Sequence, residues 1–206
     1  NNCCNLTDSG VQKVLSTGCS TLKILDLGFT EITGAALESV ILPKLEILYL
    51  NNCSKLTETG VQKVLTTSGS TLKILNLGYT KITFAALEGV ILPKLKELSL
   101  NGCSNLTDNA VQNLLNTSGS TLKILNLGHT KITGAALEEA TLPKLEELNL
   151  NLCWSLTNTS VQKVLTNCGS SLKILNLSFT KVTDAALEEV TLPKLEELNL
   201  FLCCKL

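Results

Sequence analysis

Leucines recur along the chain as LxxLxL. Eight such segments begin at Leu22, Leu45, Leu72, Leu95, Leu122, Leu145, Leu172 and Leu195. Within each, apolar and polar residues alternate, the pattern of a short strand with one buried face. After each segment the spacing changes. VQKVL in one kind of unit and AALEEV in the other put apolar residues three and four apart, which predicts a short helical stretch. Thr or Asp ahead of that stretch, as at Thr57 and Asp108, is expected to start the helix. The pair Gly69–Ser70, or the Leu–Pro pair of the other unit, is expected to end it.

These elements are themselves periodic. A short unit of 24 residues (Thr21–Lys44) and a long one of 26 (Leu45–Ser70) repeat together every 50 residues, four times over. All four prolines (Pro43, Pro93, Pro143, Pro193) take one position of the short unit. A single unit cannot cover its own apolar face, whereas stacked neighbours cover one another. The period therefore predicts a solenoid with parallel strands along one side.

LEILYLNNCSKLTETGVQKVL resembles the cysteine-containing leucine-rich repeat of F-box substrate receptors and of many protist proteins. LGFTEITGAALESVILPKL resembles the shorter leucine-rich repeat that carries Thr at the same position. The resemblance runs over essentially all 206 residues. It implies an α/β fold, a right-handed leucine-rich repeat solenoid of eight repeats in four 50-residue pairs. A parallel sheet is expected on the concave face and short helices on the convex face. Residues 1–206 are expected to form a single domain, a piece of a longer chain without its caps. No F-box is present in this sequence.

Composition narrows the function classes. A hydrophobic fraction of 44% with a net charge of −1 describes a folded chain. No apolar run reaches the ~18 residues of a membrane span, so no membrane insertion is expected. All 17 basic residues are lysine, and no basic stripe stands out along the sequence, so nucleic acid is not expected as a partner.

Cys3, Cys53, Cys103, Cys153 and Cys203 lie 50 residues apart and alternate with Thr30, Thr80, Thr130 and Thr180. The resemblance implies that this position points inward and helps to satisfy backbone groups of the turn. Equivalent cysteines lie two strands apart, at ~10 Å. That exceeds the ~7 Å limit for a disulfide, and it keeps sulfurs from gathering at ~2.3 Å around one zinc ion. His129 is the only histidine, so no cysteine has an evident base. These thiols read as small buried hydrophobes; no catalytic residue, metal or cofactor is expected. Cys19 and Cys168 close the helical side of their units, while Cys4 and Cys204 share the position of Ser54, Ser104 and Trp154. Nine thiols without a workable pairing point to a reducing, cytoplasmic setting. Six sequons (Asn5, Asn52, Asn105, Asn116, Asn158, Asn176) pull toward an extracellular one.

The alternation also names the residues facing outward from the sheet. A row of Lys23, Glu46, Lys73, Lys96, Lys123, Glu146, Lys173 and Glu196 mostly alternates in charge and reads as structural. A row rich in asparagine (Asn76, Asn126, Asn149, Asn176, Asn199) reads either as an amide ladder or as a polar recognition surface. Where the chain leaves the strands, Phe29, Tyr79, His129, Leu152 and Phe179 vary while the framework hardly changes. Together with Tyr49, Trp154 and Phe201 they are the expected partner-binding residues, since exposed aromatics are typical interface anchors. The function expected is a non-enzymatic protein–protein interaction scaffold. The alternatives are a substrate receptor of a cullin-type ubiquitin ligase and a structural solenoid that self-associates head to tail.

Overall fold

The computed structural model describes residues 6–17 and 19–203. Strands β1 (Ile24–Asp26), β2 (Ile47–Tyr49), β3 (Ile74–Asn76), β4 (Glu97–Ser99), β5 (Ile124–Asn126), β6 (Glu147–Asn149), β7 (Ile174–Asn176) and β8 (Glu197–Asn199) form one parallel sheet in sequential order. Each strand begins two residues into an LxxLxL segment. The register is uniform, so that Ile24 faces Ile47, Ile47 faces Ile74, and so on to Ile174 and Glu197. Stacked this way, the middle leucine of each strand from β1 to β7 enters a continuous core, with Leu48, Leu75 and Leu98 almost fully buried.

Long units carry the helices α1 (Asp8–Ser16), α3 (Glu58–Ser68), α4 (Asp108–Ser118) and α6 (Asn158–Cys168). Short units carry only one turn: α2 (Ala35–Glu38), α5 (Ala135–Glu138), and 3-10 turns at Phe84–Ala86 and Asp184–Ala186. The difference between the two kinds of turn follows one position. Gly34 and Gly134 adopt φ of 98° and 94°, a left-handed start open to glycine at little cost. Phe84 and Asp184 stand in the same place and begin the tighter turn instead.

Two sequence expectations about helix ends are corrected. Asp108 is the first helical residue, not the cap; the cap is Thr107. Its carboxylate reaches the next unit, accepting from Thr133 N at 3.1 Å, Thr133 Oγ1 at 3.0 Å and Ala136 N at 3.3 Å. The short turns end well before the prolines, which sit in the turn that leads into the next strand. Gly69 does follow α3, but with ordinary right-handed angles. A Cβ there would meet Ile91 O at 2.5 Å, so glycine is required by the close approach of the next unit's backbone.

The cysteine ladder is inward-facing, as expected. Cys53, Cys103 and Cys153 are free, fully buried thiols. Each donates to a carbonyl of the preceding unit: Cys53 to Leu27 O at 3.0 Å, Cys103 to Leu77 O and Cys153 to Leu127 O, both at 3.1 Å. The same carbonyls accept from Thr30, Thr80 and Thr130 Oγ1 at 2.7, 2.6 and 2.7 Å. Thr and Cys thus cap one carbonyl from two sides, a polar duty beyond that of a plain hydrophobe. Burial pushes the Cys103 and Cys153 thiols up, and Cys168, the buried last residue of α6, is pushed up to about 12 by the same cause. Cys3, Cys4, Cys204 and Asn5 lie outside the described residues.

Candidate interaction surface

At the edge where the strands end, the chain must turn sharply toward the helical side. One residue per unit makes that turn with positive φ: Phe29 (58°), Asn52 (60°), Tyr79 (55°), Gly102 (71°), His129 (55°), Leu152 (58°), Phe179 (56°) and Leu202 (52°). The backbone holds the turn in place. Phe29 N donates to Asn51 O, Tyr79 N to Asn101 O and His129 N to Asn151 O, each a residue of the next unit. The left-handed region costs an L-residue about 1–2 kcal/mol and suits glycine best. Only Gly102 takes the unstrained solution. Phenylalanine, tyrosine and histidine hold the same conformation with their rings directed outward: Phe29 is 55% and Tyr79 49% exposed, and His129 is exposed.

Gly102 has a second role. A Cβ on it would lie 2.5 Å from Tyr79 Cδ1, so the Tyr79 ring lies over the bare glycine. From there it meets His129, two units away, edge-on at a centroid distance of 6.3 Å. Further along, Phe179 and Phe201 meet edge-on at 5.4 Å. Such pairs fix ring orientation as well as adding attraction. The structure therefore joins Tyr79 with His129 and Phe179 with Phe201. Leu152 is half-buried between the two pairs in the row. Tyr49 lies half-buried on the sheet face and Trp154 is exposed, and neither has a ring partner among the described residues. Phe84, another singular aromatic, is partly buried against the core.

The asparagine row does not form an amide ladder. Asn76 Oδ1 accepts from Gly78 N at 2.9 Å, Asn126 from Gly128 N at 3.1 Å, Asn149 from Asn151 N at 3.0 Å and Asn176 from Ser178 N at 3.0 Å. Each side chain caps its own backbone two residues on and so shapes the strand's exit. Among the described residues their Nδ2 groups have no protein acceptor, which leaves a column of donors facing out of the sheet.

The opposite edge, where the strands start, corrects the expectation that the chain has no basic stripe. Glu46 N donates to Lys23 O, Lys73 N to Glu46 O, Lys96 N to Lys73 O and Lys123 N to Lys96 O, so this row is contiguous in space. Lys44, Lys94, Lys144 and Lys194 form a second row in the turns just before β2, β4, β6 and β8. Nine of the 17 lysines thus share one edge with Glu46, Glu146 and Glu196 of the same row and with Glu97, Glu147 and Glu197, which open β4, β6 and β8. Glu146 binds Lys123 at 2.6 Å and Lys173 at 2.7 Å, and these two bonds lower its pKa to about 2. Glu46 binds Lys73 at 2.6 Å and Lys23 at 3.7 Å. Lys96 stands where this alternation calls for a fourth glutamate. That break and the 50-residue spacing of the second row were visible in the sequence; that the two rows lie together on one edge was not.

Among the described residues, no three side chains of His, Cys, Asp or Glu form a group that could hold a metal ion, and no helix is long and apolar enough to cross a membrane. The model of the Leucine Rich repeat family matches residues 18–40, 120–139 and 170–190. Together with the eight-stranded parallel solenoid, the match identifies the repeating units as leucine-rich repeats. No curated protein matches the sequence. Among solved structures, the repeat array is similar to the complex of Rad7 and Elc1 from yeast, with 22% identity and a TM-score of 0.67. The match covers 93% of this chain and 58% of the neighbour's, so the chain spans little more than half of that protein's length. At this identity the likeness is one of fold.

Proposed function

We propose that this leucine-rich repeat protein is a non-enzymatic scaffold that binds a protein partner along the strand-exit edge and the adjoining sheet face. The observation that carries the reading is the row of bulky residues in left-handed conformation. Observed strain of this kind is a pointer to function, since glycine would relieve it and serves at Gly102 in the same row. The ring pairs supply preoriented apolar anchors and the asparagine Nδ2 groups supply donors beside them, the mixture of an interface core and its polar rim. The neighbour of similar fold was solved as a complex with a second protein, which supports the same reading. A cytoplasmic setting accords with the buried, unpaired thiols of the ladder. A substrate receptor of a cullin-type ubiquitin ligase is a narrower form of the proposal and requires an F-box in the same polypeptide.

The test separates binding from folding. Phe29→Gly removes an exposed ring and relieves left-handed strain, at the expense of unfolded-chain entropy. Its urea midpoint should equal or exceed that of the parent, by up to about 1 kcal/mol. Phe29→Gly combined with His129→Gly and Phe179→Gly should abolish capture of a partner that the parent chain retains. Retention of that partner by the folded triple variant would overturn the proposal.

A further inference from the structure

The start edge of the sheet bears charge that the fold itself does not use. Lys23, Lys73, Lys123 and Lys173 are held by Glu46 and Glu146. Lys44, Lys94, Lys96, Lys144 and Lys194 are exposed and have no acidic partner among the described residues. Near the carboxyl-terminal end, Lys144 and Lys194 line a shallow cleft of about 220 Å3 with Lys123, Lys173 and the single carboxylate of Glu146. Four ammonium groups line it with one carboxylate, and Glu147 and Glu196 also act on Lys173, so the local surface keeps a small positive excess. At strands spaced by ~4.8 Å, the unpaired lysines from the β2 turn to the β8 turn extend over roughly 29 Å.

This edge is also apolar in places. Val40 is buried, Ile41 is 70% exposed, Leu42 is buried and Pro43 is exposed, so Ile41 and Pro43 stand on the outside of the turn that carries Lys44. Ile91, 62% exposed, and Pro93 repeat the arrangement beside Lys94. Isolated exposed apolar residues mean little, but Ile41 and Ile91 each stand three residues before an exposed lysine, Lys44 and Lys94, that has no acidic partner among the described residues.

We propose that this edge docks on an anionic lipid bilayer. Lysines outnumber carboxylates along this edge, and Ile41 and Ile91 provide the apolar contact that an interfacial protein adds to its electrostatic attraction. The use of lysine throughout favours this partner over a fixed acidic protein surface or a phosphate polymer. Those are recognised best by the bidentate fork of arginine, whereas lysine is a mobile point charge that adapts to a fluid array of headgroups. Docking by this edge leaves the aromatic row at the other ends of the strands, facing away from the bilayer and open to its partner. The inference goes beyond the partner-binding reading and stands independently of it.

Sedimentation of the full chain with vesicles tests the idea. At about 0.15 M salt, vesicles containing phosphatidylserine should bind the protein and vesicles of phosphatidylcholine alone should not. Lys94→Ala and Lys96→Ala should each weaken binding about fivefold, with higher salt weakening it further. Ile41→Ser with Ile91→Ser should weaken binding while leaving its salt dependence unchanged. Phe29→Gly should bind vesicles as the parent does, so a failure at either edge is distinguishable from a failure at the other. No binding to the anionic vesicles would overturn the proposal. So would binding to heparin or duplex DNA that matches vesicle binding and ignores the isoleucine changes, since that would make the edge a track for soluble polyanions.

Discussion

Leu77 O is the smallest unit at which this fold can be tested. It accepts from Thr80 Oγ1 at 2.6 Å and from Cys103 Sγ at 3.1 Å, and it lies just beyond the strand ladder. Thr80→Val or Cys103→Ala alone leaves the carbonyl one donor, and each should cost about 1 kcal/mol in urea unfolding, with a further cavity cost for the second. Together they orphan a buried carbonyl, so the double variant should lose more than the sum of the two. Simple additivity would show that the two donors act independently. Charge can be tested at the same scale. The hydrogen bonds and charges of Lys123 and Lys173 hold the Glu146 carboxyl at about 2, below its ordinary 4.5. A depressed carboxyl stabilises the fold above its ordinary value, and that contribution is lost as pH falls from 4.5 toward 2. The parent should therefore exceed Glu146→Gln in urea midpoint at neutral pH, and the gap should close over that acid range. A gap that persists to pH 2 would mean that the pairs add nothing through ionisation.

Between elements, the decisive contacts join the start of each long helix to the following short turn. Asp8 accepts from Thr33, Glu58 from Thr83, Asp108 from Thr133, and Asn158 both accepts from Thr183 N and donates to Thr183 Oγ1. Burial raises the Asp8 carboxyl, but the bonds from Thr33 and Ala36 outweigh it and hold the group below its ordinary value. Since Asn158 serves in the fourth pair, the contact needs acceptors more than it needs charge. Asp108→Asn should leave stability nearly unchanged, whereas Asp108→Ala should cost about 2 kcal/mol, read from urea midpoints. The existence of this element was legible from the change of spacing after each LxxLxL. Its reach into the next unit was not, because Asp108 sits where an ordinary cap is expected.

The whole molecule is quasi-one-dimensional, with each unit stabilised by its neighbours. β8 is paired on one side only in this structure. Leu198 is consequently 46% exposed, whereas Leu148 at the same position of β6 is 1% exposed. An open strand edge backed by exposed leucines is a template for a further repeat. In the 206-residue chain, a second copy placing β1 against β8 would continue the alternation of long and short units. Such contacts are head to tail and do not close. Light scattering should accordingly show mass rising with concentration, and Leu198→Lys should suppress the rise. A constant monomer mass in the parent would remove self-association from the account.

The sequence by itself determined the repeat. Eight LxxLxL segments, the 24- and 26-residue units and the Thr–Cys alternation required a parallel solenoid, because no single unit can bury its own leucines. It also named the residues of the aromatic row, since a framework that hardly changes makes Phe29, Tyr79, His129 and Phe179 stand out. Tertiary structure decided what those residues do. That they share a left-handed conformation depends on backbone bonds to the next unit, and that Tyr79 meets His129 depends on the absence of a side chain at Gly102 between them. The lysine edge is the clearest case. In sequence Lys44, Lys94, Lys144 and Lys194 are isolated charges 50 residues apart, balanced by nearby glutamates. Stacking brings residues 50 apart to within about two strand spacings, so net charge cancels along the chain but not across the surface of the solenoid.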